Sequence, residues 1–269
     1  LEHGPWRGDR LSVVGIKAYA DGALGSRGAH LSEDYSDHPG HRGLEITPRA
    51  ELTELATQCL HAGAQLAVHA IGDRAVTDVL DAFEEAREAE PKAHLMRLRV
   101  EHAQVVRPED RPRFAALNTV ASMQPTHATS DMPWAEDRLG PDRVRWAYTW
   151  RSLDEARALL AFGSDFPVEQ VDPVLGLHAA VHRTAPGTGE PEGGWYPDER
   201  LSFEEAIEAF TLGAAYAVGD EDSLGVVDAP LLADLTLWTV QDDATWVPSA
   251  TVVGGEVVWQ AEPPPAEDR

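Results

Sequence analysis

The sequence predicts an α/β fold of parallel strands covered by helices, closed by a small β unit. Three observations carry this. Short runs rich in Val, Ile and Ala alternate with helix-period segments, the pattern that puts a parallel sheet inside and helices outside. Most of those runs end in distinctive polar residues. The chain has 269 residues, 43% of them hydrophobic and 25% charged, enough for a substantial core and unlike a disordered chain.

In chain order, strands are expected at 11–20, 65–70, 98–102, 119–124 and 159–164. Helices are expected between them at 49–61, 74–88, 108–117 and 151–158, and after the last strand at 173–183 and 203–218. Asp73 is placed to cap the second helix, and Ser202 with Glu205 three residues later reads as a capping box. Lone Cys59 reads as helix core. Three long loops remain, 21–48, 125–150 and the Gly/Pro-rich 184–201, a length usually reserved for functional or mobile segments. The character changes near Gly219. Strands are expected at 232–238 and 251–259, with Gly254-Gly255 as a turn or bulge, and a disordered tail over 261–269. The resulting division is 1–218, 219–260 and 261–269.

Charge excludes several partners. A formal net charge of −24 repels phosphate backbones and anionic lipid, so neither nucleic acid nor membrane is expected. No run approaches the ~20 apolar residues of a membrane span, and residues 1–6 show no signal pattern. A single cysteine forms no internal disulfide, which points to a reducing, cytoplasmic setting. The chain starts at Leu1 without an initiator Met, as a processed protein or a piece of a longer one would.

Ligands of parallel α/β folds bind at the C-terminal ends of strands. Two predicted strands end in His69 and His102 and a third in Asp165. One strand-end histidine is usually a hydrogen-bonded core residue, but two imidazoles and a carboxylate at one rim form the donor set of a hydrolytic divalent ion. The chain has only two lysines against twenty arginines, yet Lys17 sits in an apolar strand. Its ammonium either reaches the rim or pairs with Asp21, or else CO₂ carbamylates it into an anion able to bridge two cations. Glu101 and Asp165 as paired glycosidase carboxylates rank last, since they leave His69 and His102 unexplained.

Five ordered stretches resemble the metal-dependent amidohydrolases, within them the amidohydrolase family 3 branch that includes N-substituted formamide deformylase-like proteins. They are 15–27 (Gly-Ile-Lys-Ala-Tyr-Ala-Asp-Gly-Ala-Leu-Gly-Ser-Arg), 68–75 (Val-His-Ala-Ile-Gly-Asp-Arg-Ala), 101–104 (Glu-His-Ala-Gln), 122–127 (Ser-Met-Gln-Pro-Thr-His) and 162–168 (Phe-Gly-Ser-Asp-Phe-Pro-Val). Residues 232–235 and 252–258 resemble the same family's closing segment. The resemblance implies a (β/α)8 TIM barrel beside a small β domain. It implies carbamylated Lys17 as a bridging ligand, His69 and His102 as ligands of one metal, and Asp165 at the other. Asp165 would also be the catalytic base toward water and then the acid toward the leaving amine. Arg27 and His127 would orient the substrate.

The family also carries a His-x-His pair on its first strand, and no two histidines here are two apart. The five strands match the family's fourth to eighth, so the barrel is expected to be incomplete. The implied function is metal-dependent hydrolysis of a C–N bond in a small amide or formamide-type substrate, as the C-terminal part of a longer enzyme. Zinc is favoured, as one ion or two, although Fe, Mn and Ni accept the same donors. The alternative is a non-catalytic remnant or interaction module that lacks the first-strand ligands. An open arc of strands exposes its edges, so a homo-oligomer or a complementary N-terminal half is the expected partner, and the isolated chain is expected to be nearly inactive.

Overall fold

A computed structural model describes residues 4–8, 11–241 and 246–262. A short antiparallel pair, β1 (Trp6–Arg7) and β2 (Ser12–Val13), precedes the main sheet. That sheet is wholly parallel and keeps chain order: β3 (Gly15–Tyr19), β4 (Gln65–Ala70), β5 (Leu98–His102), β6 (Thr119–Met123) and β7 (Leu159–Phe162). Parallel neighbours need crossovers, and helices supply them. Helix α1 (Arg49–His61) joins β3 to β4, α2 (Asp73–Ala89) joins β4 to β5, and α3 (Arg111–Ala116) joins β5 to β6. Before β7 come α4 (Pro125–Asp131), α5 (Ala135–Arg143) and α6 (Trp150–Glu155). Among the described residues β3 and β7 each have one strand neighbour, leaving two open edges.

The register divides the sheet into two faces. Leu66, Val68, Leu98, Val100 and Ala121 point to the helix side and are fully buried, each aliphatic side chain of Val or Leu size contributing about 1.5–3 kcal/mol. Leu52, Ala56, Cys59 and Leu60 of α1 meet that core, as do Val76, Val79, Leu80 and Phe83 of α2, which recur at helical spacing. The opposite face carries Lys17 and Tyr19, then Ala67 and His69, then Arg99 and Glu101 in matched register. Lower on that face Val120 and Ala161 form a separate small cluster with Ala217.

Several elements depart from expectation. The first predicted strand splits into β2 and β3. The segment 125–150 is not a loop, because Pro125 occupies the first turn of α4, where its missing N–H costs nothing, and α5 follows until Gly140 (φ 77°) and Pro141 break it. Asp73 does not cap α2; its carboxylate instead accepts from the Ser32 amide at 3.1 Å and Arg107 Nε at 2.9 Å, with Ser32 Oγ also bonded to it.

After β7 come α7 (Pro173–His182), α8 (Phe203–Phe210) and α9 (Leu212–Val218). Thr211 (φ −115°, ψ −84°) separates the last two, which the sequence joins as one. Ser202 and Glu205 do form the capping box of α8. A three-stranded antiparallel sheet follows, β8 (Leu235–Val240), β9 (Trp246–Val253) and β10 (Glu256–Gln260), in order β10-β9-β8. Gly254 and Gly255 (φ 59° and 83°) turn β9 into β10, so the strand expected over 251–259 is two strands. Of the tail expected to be disordered, residues 263–269 lie outside the described residues. No described helix is long and apolar enough to cross a membrane.

Candidate metal centre at the strand ends

The C-terminal ends of the parallel strands open into a cleft of about 450 Å³. Lys17, His69, His102, His127 and Asp165 all line it, together with Gln104, Asp131, Trp134 and Glu169. His69 arrives by simple alternation on β4. His102 does not, since continued alternation would send it to the helix side with Leu98 and Val100. Left-handed backbone at His102 (φ 73°) and Ala103 (φ 42°) turns the chain there, and Asp165 (φ 58°) after β7 shares that conformation. Each such residue costs about 1–3 kcal/mol, strain that concentrates at functional sites.

The donor atoms of His102, His127 and Asp165 lie within 4.8 Å of one another. His127 stands on the first turn of α4, with Nε2 3.8 Å from Asp165 Oδ2, and that Nε2 is buried without a hydrogen-bond partner among the described residues. His102 Nδ1 lies 2.8 Å from Gln124 Oε1. An amide oxygen only accepts, so Nδ1 carries the proton and Nε2 keeps its lone pair for a ligand. Gln124 Nε2 donates to Ser122 O at 3.3 Å, which fixes the amide in that sense.

The His69 ring packs 4.5 Å from that of His102 and meets it edge-on. Its Nε2 lies 3.4 Å from the Gly22 carbonyl and 3.5 Å from Asp21 Oδ1. Burial pushes all three imidazoles below the usual histidine range, and His102, with His69 and His127 beside it, falls to about 3. At neutral pH all three are uncharged, the state a metal ligand needs.

Lys17 is exposed on edge strand β3, its Nζ 5.4 Å from the centre of the Tyr19 ring. Pairing with Asp21 does not occur. Asp21 is fully buried and accepts backbone N–H groups of His30 at 2.8 Å, Ile71 at 3.0 Å and Gly72 at 2.8 Å, clamping the loop after β3 to the end of β4. Arg27 does not line the cleft; Asp37 holds its guanidinium by two hydrogen bonds of 3.0 and 2.7 Å. Glu101 is likewise absent from the lining and lies 3.0 Å from Arg99 Nε. The third donor of the cluster, His127, is one that the sequence alone marks only as a substrate-orienting residue. Its place directly after β6 was the available signal.

Residues 2–259 match the sequence model of the amidohydrolase family. The chain belongs to that family. Among amidohydrolase relatives, it is 27% identical over 233 residues to the N-substituted formamide deformylase of Arthrobacter pascens, covering 85% of this chain and 40% of that one. It is 35% identical over 266 residues to the protein LONG AFTER FAR-RED 3 of Arabidopsis thaliana, covering 96% of this chain and 45% of the other. A crystal structure described as an uncharacterized metal-dependent hydrolase from Pyrococcus furiosus superposes with a TM-score of 0.73 at 37% identity, covering 85% of this chain and 44% of that one. The chain thus spans somewhat under half the length of these relatives.

Proposed function

We propose that this chain is the C-terminal part of a metal-dependent amidohydrolase that cleaves a C–N bond in a small amide or formamide-type substrate. The observation that carries this is the convergence of His102, His127 and Asp165 within 4.8 Å, with the buried Nε2 of His127 lacking any described partner. Two neutral imidazoles and a carboxylate fit a divalent ion, zinc foremost. His69 and a carbamylated Lys17, lining the same cleft, would complete a second position. A bound ion supplies Lewis acidity and makes water nucleophilic near neutral pH.

Asp165 is the exposed carboxylate of the cluster and is the group that accepts the proton of the attacking water and returns it to the leaving nitrogen. Hydrolysis then places OH on the acyl carbon and H on the amine. The open edges of β3 and β7 support a partner, either an N-terminal half that completes a TIM barrel or a second copy of the chain. The one cysteine, buried in α1, fits a cytoplasmic setting.

The test is metal content by mass spectrometry after dialysis, for the chain and its His102→Ala and His127→Ala variants. The chain should retain a divalent ion that either variant loses. A metal-free wild-type chain, or variants that retain the ion equally, would overturn the assignment. In the full-length enzyme Asp165→Asn should lower kcat on N-formyl amines by about 10²–10⁴-fold.

A further inference from the structure

Helix α4 presents a second feature to the cleft. Asp131 lies four residues after His127, on the same helix face about 6 Å further along the axis, and both line the cleft. Two buried side chains fix Asp131 from behind. Tyr148 Oη donates to Asp131 Oδ2, and Gln104 Nε2 lies 3.1 Å from the same oxygen and 2.6 Å from Tyr148 Oη. A carboxylate only accepts, so the Gln104 atom facing it is the amide nitrogen. Gln104 Oε1 is thereby left over. Neither it nor Asp131 Oδ1 takes a hydrogen bond from any described side chain, and neither is among the fully buried unpaired atoms. Two oxygens are therefore free to accept. Glu169, also in the lining, adds negative potential, and among the described residues Lys17 is the only lysine or arginine there.

We propose that Asp131 and Gln104 form a subsite for a protonated amine on the substrate, so that the preferred substrate is an amide or formamide bearing an ammonium group one helical turn from the bond to be cleaved. The inference rests on the hydrolytic reading of the same cleft. An ammonium brings three donors and a positive charge to two acceptors that are already oriented, whereas a carboxylate-bearing substrate meets like charge and an alkyl end leaves Asp131 Oδ1 unpaired. Tyr148 is a positioning residue, since its donor goes to the carboxylate's other oxygen, whereas Gln104 both holds that oxygen through Nε2 and offers Oε1 to the ammonium.

The matched probes are N-(4-aminobutyl)formamide and the neutral N-pentylformamide. Ligand-observed NMR on the chain should show the charged probe binding about tenfold more tightly, and the isosteric Asp131→Asn variant should bring the two within about threefold while metal content is unchanged. Equal or tighter binding of the neutral probe, or a preference that survives in Asp131→Asn, overturns the subsite. Should that variant not fold, the wild-type pair decides alone. Hydrolysis of the two probes separates the readings. A binding preference without turnover of either probe by the full-length enzyme keeps the subsite and removes the hydrolytic reading; turnover without preference does the reverse.

Discussion

The two faces of the five-stranded sheet are built from the same strands, yet they obey different rules. On the helix side Leu66, Val68, Leu98 and Val100 are fully buried in one continuous core. On the other, residues one position away are Lys17, Tyr19, His69, Arg99 and Glu101, which stay partly accessible. A one-residue step along a strand thus separates stability from chemistry. At the rim the backbone breaks the alternation, and His102 leaves the first face for the cleft through left-handed geometry.

The sharpest test places one substitution on each face. Val100→Asp puts an unpaired carboxylate into the core and should cost about 4 kcal/mol or more, so that the variant fails to give a cooperative melt. Tyr19→Asp, on the exposed opposite face of β3, should cost about 1 kcal/mol or less. Similar losses from the two would show that the second face is a core as well. Next in size is Asp21→Ala, which strands three backbone N–H groups and should lower stability by about 3 kcal/mol in urea titration. A loss under about 1 kcal/mol would mean that water replaces the clamp.

The helix-side face was the legible one. Periodicity alone places β4, β5 and α1 to the residue, because buried aliphatic runs and amphipathic spacing depend on local sequence. The other face was legible at Lys17, a rare lysine within an apolar strand, and at strand ends, where His69 and Asp165 interrupt apolar runs. Reading Pro125 as the start of a loop rather than as the first turn of a helix hid α4, and with it the shared face of His127 and Asp131. Nor does composition reveal that Asp21 answers to three amides rather than to Lys17. The first is local and turns on one residue, Pro125, whereas the second depends on contacts about 50 residues away in sequence, from Asp21 to the amides of Ile71 and Gly72.

The smallest effect sharpens the comparison at the rim itself. Burial holds His102 neutral down to about 3, whereas in the unfolded chain it takes up a proton near 6.5. Between those values the unfolded state binds more protons, so in the metal-free protein stability falls as pH falls from about 6.5 toward 3, by ~1.4 kcal/mol per pH unit from this group alone. Asp131, raised by burial to about 6, acts in the opposite sense, since its neutral form favours the fold and is lost as pH rises toward 6. Only a difference between variants isolates the histidine. Urea titrations at pH 6 and pH 5 should show that His102→Gln is about 1 kcal/mol less sensitive to this acidification than the wild-type chain, because the amide has no proton to gain. Parallel losses would mean that the His102 ring is protonated or solvated in the folded chain, and that the left-handed turn at the end of β5 leaves it outside the dry rim.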